Sequence, residues 1–266
     1  MRPSLPLIVL ALAAAPPPLA AQRPAAEHVA LGDSVEPLLH PTEALVHYQD
    51  AIAVDSTGYE QLWKAARTIT DVAKQIEGDA DSLKRRRDSL YAVGRAWAEA
   101  AVRANPDGAD GHYALALVVG RLSRTKGGKE RVRFAKVIFD EATRAIALDS
   151  THDGAHHVLG AWHAEVKRLS GIQRFFAKAL FGGGFLGKAN WEAAVAHLER
   201  AVALRPAYVY HRLELAEVYV DRGRYSSARE VLASIETLPP SDVMDPEYRQ
   251  DAAALLDEIR DKKDKT

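Results

Sequence analysis

The sequence predicts an all-α protein, folded as a right-handed solenoid of helical repeats with irregular inter-helix insertions and a C-terminal capping helix. Three observations support this prediction. The 266 residues are 47% hydrophobic, which is enough to bury a sizeable core. Two apolar patterns with helical spacing recur along the chain, and they keep a fixed offset from each other. Small residues within both patterns allow neighbouring helices to come close together.

Residues 1–21 are expected to be a cleaved signal peptide. A positive charge at Arg2 precedes an apolar run over residues 5–15, and Ala20 and Ala21 are small residues suited to cleavage. The run is shorter than the roughly 20 residues of a membrane-spanning helix, which disfavours the alternative of an uncleaved anchor. We therefore expect an exported protein of the periplasm or cell envelope, with a polar linker over residues 22–38.

The first pattern runs from an aromatic residue, through small and larger apolar residues three or four positions apart, to a closing proline. Spacings of three and four place these side chains on one face of a helix. Clear copies cover residues 91–106, 191–206 and 225–240, and weaker copies cover residues 41–56 and 135–150. We therefore expect the helical repeats over residues 39–240, followed by a capping helix and charged tail over residues 241–266.

A second pattern begins six residues after each closing position, and its four sets start at Leu62, His112, His156 and Arg212. Together the two patterns resemble the tetratricopeptide repeat (TPR), a helix-turn-helix unit of about 34 residues. The last unit, 206–240, has this length, whereas the earlier units are longer. The extra residues fall between the first and second helix of a unit, and we expect them along one edge of the solenoid.

The C-terminal part of the chain carries a narrower resemblance. Its segments are HVLGAW over residues 157–162, FAKALFG over residues 176–182 and WEAA over residues 191–194. They resemble the C-terminal half of the regulator of microtubule dynamics proteins, and the AKALFG element is the most specific. The resemblance implies a helical-repeat adaptor without enzymatic activity, and some members of that family associate with microtubules or with organelle membranes.

Composition and motifs exclude several classes of function. A formal net charge of -1 lacks the basic excess typical of nucleic-acid binding, and zero cysteines exclude disulfides and thiolate chemistry. The loop 182–188 matches most of a phosphate-binding loop, but Ala189 stands where a hydroxyl would hold magnesium. We therefore predict no catalytic residue, no cofactor and no nucleic-acid partner.

Four histidines raise the alternative of a metal-dependent hydrolase, since imidazole is a common zinc ligand. They are His152, His156, His157 and His163. The repeat register places His156 and His163 at packing positions, and no H-E-x-x-H motif accompanies them. We therefore predict core imidazoles and no metal site here, and we keep the hydrolase as an alternative.

The first helices of TPR units line a concave groove, and their inward positions form the predicted partner-binding surface. These positions mix charged and aromatic residues, which suits an extended peptide or a partner helix. The predicted groove residues are Trp63, Arg67, Asp71, Tyr113, Arg121, His157, Glu165, Tyr210, Glu217 and Asp221. The alternative is a hydrated groove that holds no ligand.

The insertion 167–188 is basic and contains four of the six phenylalanines. A basic amphipathic segment suits an anionic membrane surface or an acidic partner. The predicted edge residues are Arg174, Phe175, Phe176, Lys178, Phe181, Phe185 and Lys188. The alternative is that these rings fold back and fill the gap beneath their own loop. The sequence indicates neither the partner's identity nor the oligomeric state.

Overall fold

The computed structural model describes residues 23–171, 173, 175, 177, 179 and 183–265, and regular structure within them is entirely helical. The signal peptide predicted over residues 1–21 lies outside these described residues. The helices are α1 (Ala25–Val35), α2 (Pro41–Val54), α3 (Tyr59–Lys74), α4 (Asp81–Ala104), α5 (Ala109–Ser123), α6 (Gly128–Leu148), α7 (Asp153–Arg168), α8 (Trp191–Leu204), α9 (Val209–Asp221), α10 (Tyr225–Ala233) and α11 (Asp245–Glu258). Short 3-10 helices span Glu36–Leu38 and Gly183–Lys188.

The helices form a two-layered solenoid, which confirms the predicted fold class. Consecutive helices pack on one another, with α7 followed by α8 across the insertion. In addition, α3, α5, α7 and α9 pack on each other in succession, so the first helices of the units share one layer. Helix α11 packs on α9 and α10, where it covers the end of the last repeat.

Small residues bring the two layers together, as the repeat pattern predicts. Ala98, Ala142 and Ala194 on the second helices are fully buried. At Gly160 in α7, an added Cβ would lie 2.7 Å from the Leu198 side chain and 3.1 Å from the Ala194 carbonyl oxygen. Since real Cβ atoms rarely come so close, α7 and α8 can pack at this distance only because residue 160 is glycine.

A repeated hydrogen bond closes the turn before each first helix. In each unit, a side chain near the start of the helix bonds to the backbone carbonyl six residues earlier, which otherwise has no helical partner. The pairs are Gln61 with Asp55, His112 with Pro106, His156 with Ser150 and Arg212 with Pro206, at 2.9 to 3.2 Å. His112 and His156 therefore have a structural role in the turns, as the repeat register indicates.

The extra residues were expected between the first and second helix of a unit, and they mainly lengthen the second helix. Helix α4 has 24 residues and α6 has 21, compared with 14 in α8 and 9 in α10. Only residues 124–127 separate α5 from α6. The extra residues include runs of lysine and arginine, which are good helix formers, so they continue the helix backwards from the repeat positions.

Residues 22–38, expected as a linker, instead contain helix α1. Val29, Gly32 and Val35 recur every third residue and are buried against α2 and α3. The aromatic ring of Tyr48 lies against Gly32 and leaves no room for a Cβ there. This helix was missed because it precedes the first copy of the repeat pattern, at residues 41–56.

Candidate functional site

The concave face of the solenoid encloses a cavity of about 840 Å³. Its walls are the inner helices α3, α5 and α7, the start of α9, the segment from the end of α1 to the start of α2, and the segments that precede α9 and α11. Seven of the ten predicted groove residues line it, namely Trp63, Arg67, Asp71, Tyr113, Arg121, His157 and Tyr210. The inner helices therefore bring together the residues that the repeat register placed on the inward face.

The other three predicted groove residues lie away from this cavity. Glu165 lines a second, more apolar cavity of about 440 Å³, which is bounded by α5, α6 and α7. Glu217 and Asp221 line neither cavity, and both form ion pairs with Arg168, at 3.6 and 2.8 Å. Arg121, His157 and Tyr210 line both cavities and form the wall between them.

An ion pair bridges the large cavity from the first repeat to the C-terminal segment. Lys74 Nζ in α3 lies 3.1 Å from an Asp242 carboxylate oxygen, and the Tyr208 hydroxyl donates to that carboxylate at 2.5 Å. Burial alone would lower the pKa of Lys74, but the carboxylates of Asp71 and Asp242 raise it. Burial alone would raise the pKa of Asp242, but Lys74 lowers it. The pair stays charged, and it converts the open groove into a partly closed channel.

Acidic side chains neutralise the cations at the N-terminal end of the channel. Arg67 forms an ion pair with Glu36 and lies over the Trp63 ring, 5.3 Å from its centroid. Lys64 lies 2.7 Å from Asp33. Both acids belong to the segment around α1, so this helix supplies the counter-charges at the channel end.

Arg121 has different surroundings. Among the described residues, no carboxylate lies within ion-pair distance of its guanidinium, which instead lies 5.6 Å from the centroid of the Tyr210 ring. Burial alone would lower the pKa of Arg121, but the phenol groups of Tyr210, Tyr248 and Tyr91 raise it. The channel wall therefore presents a charged, half-buried guanidinium whose hydrogen-bonding capacity is not used by an acid.

A chain of three polar side chains ends beside Arg121. His211 Nε2 lies 2.9 Å from Asp153 Oδ2, and His211 Nδ1 lies 3.1 Å from His157 Nδ1. Burial lowers the pKa of both histidines. Burial alone would raise the pKa of Asp153, but the hydrogen bond and charge of His211 outweigh it and lower the pKa of that carboxyl to about 2. Neutral His211 must donate to Asp153 and accept from His157. Neutral His157 then carries its proton on Nδ1, and its Nε2 can accept a hydrogen bond.

The four histidines considered as a metal site do not converge. His152 accepts from the Ala155 backbone N–H at the start of α7. His156 Nδ1 lies 2.9 Å from His197 Nδ1, while His163 stacks on the His197 ring at 5.9 Å between centroids. His157 faces the opposite way, towards His211. Within the part of the chain that the structure describes, no set of metal ligands includes any of the four.

The predicted basic edge is only partly described by the structure. Arg174, Phe176, Lys178 and Phe181 lie outside the described residues. Phe175 is 66% exposed, whereas Phe185 is half-buried and stacks near Trp162 at 6.2 Å between centroids. Lys188 lies over the Phe139 ring, 5.0 Å from its centroid. The described rings thus divide between the two sequence interpretations, because one faces solvent and the other fills the core.

Several residues of the channel were missed by the sequence analysis. Asp153, Tyr208, His211 and Asp242 all contribute polar groups to it. Their proximity depends on how units far apart in sequence curve towards each other, and the repeat pattern carries no information about that curvature. The only local sequence signal for these polar groups was the cluster of Tyr208, Tyr210 and His211 at the start of α9.

The profile of the family described as Regulator of microtubule dynamics protein 1-3 matches residues 39–260. The chain belongs to this family. The match confirms the resemblance seen in the sequence and extends it far beyond the last hundred residues, to cover α2 through α11. The family assignment leaves α1 outside the matched region.

Individual relatives agree with this assignment. Regulator of microtubule dynamics protein 3 of Rattus norvegicus is 26% identical over 196 residues, which cover 73% of this chain and 40% of that protein. Regulator of microtubule dynamics protein 1 of Bos taurus is 26% identical over 209 residues, which cover 78% of this chain and 64% of that protein. The chain therefore spans less than two thirds of either relative.

A solved structure confirms the fold. A thermophilic TPR protein of Thermus thermophilus superposes with a TM-score of 0.60 at 19% identity, covering 86% of this chain and 99% of that one. This fold presents extended concave surfaces that suit protein binding. Within the described ranges, no helix has both the length and the apolar character needed to cross a bilayer.

Proposed function

We propose that this protein is a non-enzymatic adaptor that binds an extended peptide segment of a partner protein in its channel. The observation that carries the proposal is Arg121, a half-buried cation without an acidic partner among the described residues. A buried charge is costly unless it is paired, so a ligand that brings a carboxylate to this position is favoured. An Arg-carboxylate pair is often bidentate, which also fixes the orientation of the ligand.

The neighbouring side chains suit a peptide backbone. His157 Nε2 can accept a hydrogen bond from a backbone N–H, and the rings of Tyr113 and Tyr210 provide flat apolar surface in the same wall. The cavity of about 840 Å³ lies within the roughly 300–1,000 Å³ typical of ligand sites. The channel therefore fits a short peptide segment whose carboxylate, from an acidic side chain or a C-terminus, meets Arg121.

The test is an array of decapeptides that differ only in charge and in whether the C-terminus is a carboxylate or an amide. We expect carboxylate-bearing peptides to bind, and we expect salt to weaken that binding. Arg121→Gln should lose at least about tenfold in affinity, since a hydrogen bond to a charged group contributes roughly 1.5–3 kcal/mol. Arg121→Lys should keep part of the peptide affinity, because lysine retains the positive charge but cannot form the bidentate pair.

Arg133→Gln is the matched control, since it removes the same charge from a side chain that is 72% exposed and lines neither cavity. Its binding should equal that of the unaltered protein. Equal loss in both variants would indicate a general charge effect and would remove Arg121 from the account. Binding that ignores peptide charge would have the same consequence.

Export to the periplasm or cell envelope is a separate part of the proposal, and it rests on the sequence of residues 1–21. Expression of the full chain in a bacterial host, followed by fractionation and N-terminal sequencing, tests it. A periplasmic product that begins near Gln22 would support export, and a cytoplasmic product with an intact N-terminus would refute it.

A second candidate function is peripheral membrane association through the basic edge 167–188. The specific observation in its favour is Phe175, a large apolar side chain that is 66% exposed. Sedimentation with vesicles tests this candidate. Binding to anionic but not neutral vesicles, reduced by salt and by Phe175→Ser, would support it, whereas no binding to either vesicle would exclude it.

A further inference from the structure

A second cluster of polar side chains lies outside the channel, where α1 packs on α2. His28 in α1 and His47 and Asp50 in α2 each offer one ligand atom, and these three atoms lie within 4.8 Å of one another. His28 Nδ1 is 3.7 Å from Asp50 Oδ2. We propose that His28, His47 and Asp50 form a binding site for a divalent transition metal ion of the zinc type.

Local structure holds the three residues in place. His47 and Asp50 are three residues apart in α2, so they lie on the same face of that helix. Their neighbours Val29 and Tyr48 are buried in the core between α1 and α2, with exposures of 5% and 0%. The backbone positions of the candidate ligands are therefore fixed by packing that does not depend on a metal ion.

Two unsatisfied nitrogen atoms point to a ligand. The Nδ1 atoms of His28 and His47 are both buried from solvent, and neither has a hydrogen-bond partner among the described residues. The 3.7 Å separation of His28 from Asp50 is too long for a hydrogen bond. Buried polar atoms are normally satisfied, so two orphaned imidazole nitrogens at one site require an explanation. A shared metal ion would satisfy them.

The donor set fits the metal class. Bond lengths of about 2.0–2.1 Å at a tetrahedral zinc place two ligand atoms roughly 3.4 Å apart. The His28–Asp50 pair is at 3.7 Å, and all three ligand atoms lie within 4.8 Å of one another. Two imidazoles and one carboxylate suit zinc and its neighbours, whereas calcium and magnesium require more oxygen ligands. The Asp50 side chain is 53% exposed, so a fourth position is open to water on that side.

The metal would join α1 to the family domain. His28 lies before the matched region 39–260, while His47 and Asp50 lie within it. The segment around α1 also supplies Asp33 and Glu36, which pair with Lys64 and Arg67 at the end of the channel. A metal ion that fixes α1 would therefore fix the counter-charges at one end of the proposed binding channel.

The experiment is calorimetric titration of the purified protein with Zn²⁺ at pH 7.5. We expect one Zn²⁺ per chain. Each of three substitutions should weaken Zn²⁺ binding by at least about tenfold, namely His28→Gln, His47→Gln and Asp50→Asn. Loss of a residue that only supports a metal ligand already lowers affinity by about tenfold or more, so loss of a ligand should cost at least as much. The control is His40→Gln, which removes an imidazole that is 62% exposed and lies 3.5 Å from the Glu43 carboxylate. His40 and Glu43 are three residues apart, as His47 and Asp50 are. Its affinity should be unchanged.

Thermal unfolding gives a second readout that separates binding from folding. At the same concentration, Zn²⁺ should raise the Tm of the unaltered protein and of His40→Gln by mass action, and should raise that of Asp50→Asn by less. Asp50 is exposed, so its substitution leaves the core intact even if a histidine variant proves unstable. Absence of Zn²⁺ binding, or stoichiometric binding that survives all three substitutions, would overturn the proposal.

Discussion

Arg121 and Arg168 stand near the C-terminal ends of two neighbouring inner helices, α5 and α7, and their side chains meet opposite surroundings. Four carboxylates surround Arg168, from Glu165 and Asp221 at 2.7 and 2.8 Å and from Glu214 and Glu217 at 3.7 and 3.6 Å. Arg121 faces tyrosine rings and no carboxylate among the described residues. The same residue type thus completes an ionic cluster at one site and leaves a charge for a ligand at the other.

The comparison shows that an inward position in a helical repeat does not by itself make a binding residue. Arg168 neutralises acids that α7 and α9 present to each other, and it therefore belongs to the structure of the solenoid. Burial alone would lower its pKa, but Glu165 and Asp221 raise it. Arg121 forms no such cross-link between described residues, so its charge at the channel wall is available to a ligand.

Removal of each arginine should separate the two roles, and this is the largest effect that we expect. Arg168→Gln leaves the buried carboxylate of Glu214 without its counter-charge. Because the Arg168 side chain is partly exposed, we expect the free energy of unfolding to fall by only about 2–3 kcal/mol. Arg121→Gln should cost less than about 1 kcal/mol, because it removes no ion pair between described residues. Urea unfolding of both variants measures the difference. Similar losses of stability would break the comparison.

A second change should convert the Arg121 site into one like that of Arg168. Leu117 lies one helical turn before Arg121 and lines the same cavity. Leu117→Glu should place a carboxylate beside the guanidinium and block carboxylate-bearing peptides, whereas Leu117→Gln has a similar size without the charge. Peptide affinity of the two variants is the measurement. If both variants bind the peptide equally, Arg121 is not the recognition group.

The smallest expected effect is the part of the pH dependence of stability that the Arg168 cluster contributes. Burial and the charge of Glu214 outweigh Arg168 and raise the pKa of Glu217 to about 7. An acid with a raised pKa in the folded state binds more protons there than when unfolded, so the contribution of Glu217 to stability falls as the pH rises from about 4.5 to 7. Glu217→Gln should remove this decrease, and the variant should gain in Tm relative to the unaltered protein at pH 8.

At pH 4.5 the Tm of Glu217→Gln should differ less from that of the unaltered protein. Much of the population then carries a protonated Glu217 in both the folded and the unfolded state. A Tm difference that is independent of pH would show that the substitution acts through packing. Arg121→Gln provides the contrast, since its effect on Tm should not follow the titration of Glu217.

The sequence predicted the solenoid because its stability depends on local repetition. Residues such as Ala98, Ala142 and Ala194 mark helix faces at fixed spacing, and periodicity reveals them. It also located seven of the residues that line the channel. Helix α1 was missed because it precedes the first copy of the repeat pattern.

The closure of the channel and the charge balance within it could not be predicted in this way. Lys74 and Asp242 are 168 positions apart, and their ion pair depends on the curvature summed over all the repeats. The partners of Arg121 and Arg168 follow from the same curvature. Sequence spacing therefore identifies which face is concave, and only the three-dimensional arrangement shows which charges on it are available.

The most direct test of the channel proposal is a cycle of four affinities. One peptide selected on the array is prepared with a free C-terminal carboxylate and as the amide, and each form is titrated into the unaltered protein and into Arg121→Gln. We predict that the unaltered protein prefers the carboxylate by at least about tenfold, or about 1.4 kcal/mol, and that Arg121→Gln loses this preference. An equal preference in both proteins would contradict the assignment of Arg121 as the carboxylate-binding residue.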